Sequence, residues 1–213
     1  GVVTTAAAIN RELVGASRSI TVQAQSSDGS IASQTFNIAI NDLDEFDVTV
    51  PTDSNVATNE VDENVAIGTT VGITANAFDL DSTTNTITYS LTSNPDGLFQ
   101  IDPNTGVVTT AAAINREVHG ASRSITVQAA SSDGSIATET FIITVHDLDE
   151  FDTTSPTDTD SGTNNVNENV AIGTTVGITA NAFDLDATTN TITYSLTSLS
   201  LIHISEPTRL RRI

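Results

Sequence analysis

The chain has 213 residues, 38% of them hydrophobic, and a formal charge of −20, with 27 acidic residues set against seven basic ones, all Arg. Such a surface repels nucleic acid and anionic membranes and attracts divalent cations. Cys is absent, which excludes disulfides and thiolate chemistry and leaves the redox compartment open; no apolar run reaches the roughly 18 residues that a membrane helix needs.

The sequence repeats itself. Residues 1–50 return as 106–155 with 39 of 50 positions identical, and 61–90 return as 166–195 with 28 of 30 identical. The period is a whole domain, far longer than the roughly 20–50 residues of a solenoid unit. The expected organisation is a C-terminal half-module at 1–49, a complete module at 50–156, an N-terminal half-module at 157–198 and a tail at 199–213. The chain reads as a piece of a longer tandem array, with one stable domain and two compromised flanks.

In chain order, the complete module is expected to form strands at 63–66, 70–77, 86–92, 99–101, 106–110, 123–130 and 137–146. Ile73, Ala75 and Ala77 alternate with polar or small neighbours, as do Ile125, Val127 and Ala129, and Phe141, Ile143 and Val145. That period of two marks strands with one buried face. Turn chemistry separates them: Asp102 to Gly106 reads DPNTG, and Asp133-Gly134, like Asp28-Gly29, suits a tight hairpin. Residues 111–114 amount to a loop or a single helical turn. About seven antiparallel strands in about 105 residues predict an all-β, Greek-key, immunoglobulin-like sandwich. Phe99, Phe141 and Tyr89 are the expected core anchors.

The acidic residues recur at fixed places: Asp62-Glu63 at the start of the module, Asp79 and Asp81 after its second strand, Glu117 in Asn115-Arg116-Glu117, and the closing run DLDEFD at 147–152. The closing run lies at the exit pole of the sandwich, facing the next module, where Asp184 and Asp186 follow the second strand. If that turn folds to the same pole, the two groups meet. Crowded carboxylates repel one another at neutral pH. A hard cation resolves the repulsion, and calcium accepts six to eight oxygens in flexible geometry, roughly what such a junction offers. No His or Cys cluster competes for zinc.

These motifs, taken in order, resemble the cadherin repeat, especially the cadherin-like domains of large bacterial surface adhesins. ENVAIGTTV (63–71) is similar to the family's opening segment, AFDLD (77–81) to its A-x-D-x-D loop, and FQIDPNTGVV (99–108) to F-x-I-D-x-x-T-G-x-I. INRE (114–117) is similar to L-D-R-E, and DLDEF (147–151) to the D-x-N-D-N linker. The resemblance implies a cadherin-type sandwich with Ca2+ between successive modules. It implies that the first junction uses Glu12, Asp42, Asp44 and Glu45 with Asp79 and Asp81. It implies that the second uses Glu63, Glu117, Asp147, Asp149 and Glu150 with Asp184 and Asp186. There are three departures. The aspartate of D-R-E is Asn115 (Asn10 in the first copy), the last linker Asn is Phe151, and the family's V-x-A-x-D aspartate is Ser131, with Asp133 two residues on.

Simpler readings stand beside these. Asp133-Gly134 and Asp28-Gly29 read first as hairpin turns, and DLDEFD could be a solvated charge cluster. Asn115-Arg116-Glu117 could be a salt-bridged turn, and His119 and His146 read as incidental surface residues. No nucleophile–base–orienter set appears, so no enzyme is expected. The expected role is mechanical: a calcium-stiffened, extracellular or cell-surface module, membrane-associated through other parts of its parent. Its partners would be adjacent modules, with homophilic or host or matrix surface ligands, although no exposed aromatic anchor is evident. The alternative is a metal-independent spacer or a carbohydrate-binding accessory sandwich of a secreted protein. The tail, LSLIHISEPTRLRRI, breaks the repeat, resembles translated sequencing-adapter read-through and is expected to be poorly ordered.

Overall fold

A computed structural model describes residues 1–197, so the expectation for the tail lies outside the described residues. The chain divides into two units, one spanning Gly1–Leu148 and the other beginning at Asp149.

The first unit opens with a helical turn, α1 (Arg11–Val14), and a hairpin of β1 (Ser17–Gln25) and β2 (Ile31–Ala39). Next come β3 (Thr52–Asp53), β4 (Glu60–Asp62), β5 (Thr70–Asn76), β6 (Ile87–Ser93), β7 (Phe99–Ile101) and β8 (Val107–Thr110). A second helical turn, α2 (Arg116–His119), precedes β9 (Ser122–Ser131) and β10 (Ile136–His146). In the complete module, β4-β10-β9-β6 form one sheet and β3-β5-β8-β7 the other. This is the Greek-key sandwich that the period-two pattern predicts. Val71, Ile73, Ala75 and Ala77 close against Ile125, Val127 and Ala129 and against Phe141, Ile143 and Val145, all of them buried. The anchors Phe99, Phe141 and Tyr89 are inside as expected, and the Tyr89 hydroxyl accepts the Ala77 N–H at 2.9 Å, so its polar end is satisfied.

Two tight approaches depend on glycine. Gly72 and Gly106 have φ of +82° and +70°, and a Cβ at either would lie about 2 Å from the carbonyl oxygen of Thr58 or Ala75.

The structure corrects the sequence reading at four points. The first strand of the module ends at Asp62, before the expected 63–66. The Glu63 carboxylate, 1% exposed, accepts the Arg116 N–H at 2.6 Å and the Leu148 N–H at 2.8 Å, and Asn64 takes φ +57°. Those bonds pull the chain out of the ladder. Secondly, β4 runs parallel to β10, with Val61 opposite Val145, so the strands are not all antiparallel. Thirdly, residues 111–114 are a loop, one of the two expected forms, and a helical turn that the sequence reading did not place follows at Arg116–His119, where Asn115 caps it by accepting the Val118 N–H at 2.8 Å. His119 belongs to that cap: its Nδ1 accepts the Asn115 N–H at 3.0 Å, so it is not incidental. Finally, Phe78 is 59% exposed, so an aromatic ring does stand on the surface of the sandwich.

The hairpin β1–β2 keeps the register of β9–β10: Phe36 faces Ile20 as Phe141 faces Ile125. Among the described residues no second sheet covers it, and Val22, Phe36 and Ile38 are open where Val127, Phe141 and Ile143 are buried. In the second unit, β11 (Thr157–Asp158) and β12 (Ala180–Asn181) pair as β3 and β5 do, while Val176, Ile178 and Tyr194 stay exposed.

Two outcomes are expected in urea unfolding of the complete module. Ile143→Ala removes a side chain with no exposure and should cost about 2–5 kcal/mol, whereas Ile38→Ala in dilute protein should stay within about 0.5 kcal/mol. Glu63→Ala in chelator orphans two backbone donors and should cost about 2–5 kcal/mol, with Glu63→Gln losing less, which separates its structural work from any metal role.

Candidate metal centre

Within the first unit, the segment after β2 runs along the complete module. Val48 is buried and donates its N–H to Ser135 Oγ at 2.9 Å; Thr49 N–H donates to the Phe78 carbonyl at 2.8 Å. This register sets DLDE of the first copy against the loop after β5. Asp81, 1% exposed, accepts the Glu45 N–H on Oδ1 and the Phe46 N–H on Oδ2, both at 3.1 Å. The turn from Asp79 folds under it, with the Asp81 N–H donating to Asp79 Oδ1 at 3.0 Å.

Two carboxylate groups form around Asp81. Glu12, Glu45 and Asp81 each offer an oxygen within 4.8 Å of the others, and so do Asp44, Asp81 and Asp133. Asp133 therefore does more than shape its hairpin. Its Oδ1 accepts the Ser135 N–H at 2.7 Å, as Asp28 accepts Ser30, and one of its carboxylate oxygens lies within 4.8 Å of those of Asp44 and Asp81. The visible signal was Ser131 at the position where the family carries Asp, with Asp133 two residues later. Ser131 itself is buried and donates to Asp79 Oδ2.

Asp42 and Asp79 stand outside both groups. Asp42 accepts the Thr83 hydroxyl and lies 3.5 Å from Arg11 Nε; the Thr83 hydroxyl holds its carboxyl below the ordinary value. Asp44 is pushed up, first by desolvation, then by the proton it would share with Asp81 and by the charges of Asp133, Asp81 and Asp79. Glu45 is pushed up by desolvation and by the charges of Glu12, Asp81, Asp42 and Asp44. One Glu12 oxygen accepts the Ser82 hydroxyl at 2.9 Å; the other is buried with no hydrogen-bond partner.

At the far end of the complete module, Glu63, Glu117 and Asp147 form a third group within 4.8 Å. Arg116 combines the two readings of its motif: it donates to the Val145 carbonyl and lies 3.8 Å from Asp147 Oδ1, while its neighbour Glu117 joins the carboxylates.

In the second unit the same local arrangement recurs. Asp186, 1% exposed, accepts the N–H groups of Glu150 and Phe151 at 3.0 and 3.3 Å, and its own N–H donates to Asp184 at 3.2 Å. Asp149 is pushed up by sharing a proton with Asp186 and by its charge. The Phe that replaces the last linker Asn thus contributes a backbone donor in both copies, through Phe46 and Phe151.

Oxygen is the only donor type in these groups, all of it carboxylate. A hard cation fits them: calcium binds carboxylate oxygens, whereas soft or imidazole-preferring metals find no Cys and no His there. The buried Glu12 oxygen without a donor is what such an ion would satisfy.

Residues 57–148 match the family model described as Cadherin domain. Human Cadherin-20 is 42% identical over 85 residues, which is 39% of this chain and 10% of that protein. Human Protocadherin Fat 4 is 52% identical over 56 residues, 26% of this chain and 1% of that protein. The chain thus spans a tenth or less of the length of these two relatives. Among solved structures, PcdhgB3 EC1-4 gives a TM-score of 0.67 at 21% identity, covering 85% of this chain and 43% of that one. Mouse Cadherin-23 EC22-24 gives 0.60 at 25% identity, covering 84% and 56%. Residues 1–49 meet the sandwich through Glu12, Asp42, Glu45 and Phe46, whose partners are Ser82, Thr83 and the two Asp81 oxygens. The sandwich, the carboxylate groups and the family match together identify residues 57–148 as a cadherin domain.

Proposed function

We propose that the chain is a calcium-binding structural module whose carboxylate groups lock successive cadherin repeats together in an extracellular adhesion protein. The observation that carries this reading is Asp81. It is almost fully buried, common to two carboxylate groups, and beside a buried Glu12 oxygen that has no hydrogen-bond partner. Glu12, Asp44, Glu45, Asp81 and Asp133 would hold the ion at the first junction, with Asp42 and Asp79 as neighbours that orient the loop. Glu63, Glu117 and Asp147 would do so at the end of the complete module, and Asp149, Glu150, Asp184 and Asp186 would provide the corresponding set of the following repeat. The ion supplies positive charge that removes mutual repulsion; the chain's own residues fix the angle between linker and loop through the amide bonds to Asp81.

In the intact parent, repeated junctions of this kind would stiffen a stalk at the cell surface, membrane-associated through other segments, with homophilic or matrix ligands engaged elsewhere. The relatives named above are animal cadherins, so the expectation of a bacterial parent draws no support from them and the proposal rests on the module alone.

Calorimetry in calcium and in chelator tests the reading. Saturating calcium at about 100 times its Kd should stabilise the folded state by about 2.7 kcal/mol. That stabilisation should raise Tm by roughly 10–20 °C, on the scale of about 4–8 °C per kcal/mol for a domain of this size. Glu12→Gln with Glu45→Gln should remove most of the first junction's share while leaving Tm in chelator equal or higher. Equal melting curves in calcium and chelator would end the proposal.

The pH dependence has a definite sign. Asp44 and Glu45 have folded-state values above their ordinary 3.8 and 4.5, so the folded form holds more protons than the unfolded one in the window just above those values. In chelator these two groups therefore favour folding as the pH falls into that window and oppose it as the pH rises through their raised values. Protons displace calcium from the same oxygens. The calcium-dependent rise in Tm should shrink as the pH falls, beginning above the ordinary carboxylate values of 3.8 and 4.5.

A further inference from the structure

Residues 61–90 and 166–195 differ at only two of 30 positions: Asn167 stands in place of Asp62, and Ala187 in place of Ser82. The acidic residues of the other half of the repeat are kept in both copies, Glu12 as Glu117, Asp42 as Asp147, Asp44 as Asp149 and Glu45 as Glu150. Asp62 is exposed and, among the described residues, belongs to none of the carboxylate groups. Ser82 directly follows Asp81, and its hydroxyl donates to Glu12 Oε1 at 2.9 Å from 70 positions away in sequence. Beside it the Thr83 hydroxyl donates to Asp42. The two hydroxyls serve different acids. Thr83 bonds Asp42, which stands outside the carboxylate groups, whereas Ser82 bonds Glu12, which forms one with Glu45 and Asp81. With Oε1 held, Glu12 Oε2 is left buried and without a hydrogen-bond partner.

We propose, resting on the calcium reading above, that Ser82 is a positioning residue for the cation at the first junction: its hydroxyl holds one oxygen of Glu12 so that the other is presented to the ion. A free Glu side chain rotates widely, and ordering it is among the larger rotamer costs of any residue. A hydroxyl bond to a carboxylate is charge-assisted, and it fixes the group before the ion arrives. Hydrogen-bond partners of ligating carboxylates are typically worth about 10–100-fold in metal affinity. Ala187 has no hydroxyl, so a loop of the second kind cannot orient a glutamate in this way. Junctions built from the same acidic residues therefore hold calcium with different strength. The residue after the second aspartate of the loop, Ser or Ala, sets the difference.

Calorimetric titration of the chelator-stripped full chain with calcium chloride tests it, on the wild type, Ser82→Ala and Ser82→Thr. The sites lost in Glu12→Gln with Glu45→Gln mark the first junction. Ser82→Ala installs the residue that the second copy already carries, at an exposed position, so its Tm in chelator should match the wild type. Its first-junction affinity should fall by roughly 10–100-fold. Ser82→Thr keeps the hydroxyl and should bind as the wild type does. An Arg-directed protease in chelator reads the same bond without the metal. Cleavage after Arg11 should be faster in Ser82→Ala, because the tie between the α1 turn and the loop is gone, while cleavage after Arg116 should be unchanged. Equal calcium affinities in the wild type and Ser82→Ala overturn the proposal. So does a Ser82→Thr as weak as Ser82→Ala, or an unchanged rate of cleavage after Arg11. A wild-type chain that takes up no calcium ends both readings, whereas calcium uptake that is indifferent to Ser82 ends this one alone.

Discussion

A buried carboxylate at the end of the second strand organises the junction. An ionised group removed from water must be met by donors or by a cation. Asp81 obtains two donors from the backbone of the preceding linker, at Glu45 and Phe46, and Asp186 obtains its own from Glu150 and Phe151. The linker path is thereby tied to the loop, and every other acidic residue takes its place from that tie. Asp44 and Glu45 are carried to Asp81 because their own backbone is bonded to it, and Glu12 reaches them from a helical turn capped by Asn10.

The arrangement concentrates negative charge where the chain supplies little to balance it. Arg11 and Arg116 pair with Asp42 and Asp147, leaving Asp44, Asp81, Glu45 and Glu12 crowded. The upward shifts at Asp44, Glu45 and Asp149 are the cost of that crowding. A divalent cation held there would convert the same charges from a source of repulsion into a fastening.

The strands were legible because a sheet with one buried face imposes period two on its residues, and six of the seven expected strands overlap the observed ones at matching places. The first was missed because Glu63, which follows a plausible strand residue, is drawn off by hydrogen bonds from residues 53 and 85 positions away. Local pattern carries no trace of such partners. The clusters of acids were legible as clusters, and the geometry draws Glu12, Asp44, Glu45 and Asp81 together. Asp133 was read as a turn because Asp-Gly is a strong turn signal; it makes that turn and also joins the carboxylates of Asp44 and Asp81, which one dipeptide cannot display. Parallel pairing of β4 with β10 was equally hidden, since strand direction follows from where the chain goes between strands.

The sequence by itself determined the all-β class, the repeat and the kinds of ligand atom available, because alternation, identity between copies and side-chain chemistry are properties of the residues alone. Burial was decided by the tertiary structure. Ile38 and Ile143 sit at the same place in the same hairpin, yet one is 41% exposed and the other has no exposure at all. The hairpin forms from its own hydrogen bonds in both copies, but an apolar face leaves water only when a second sheet arrives to cover it.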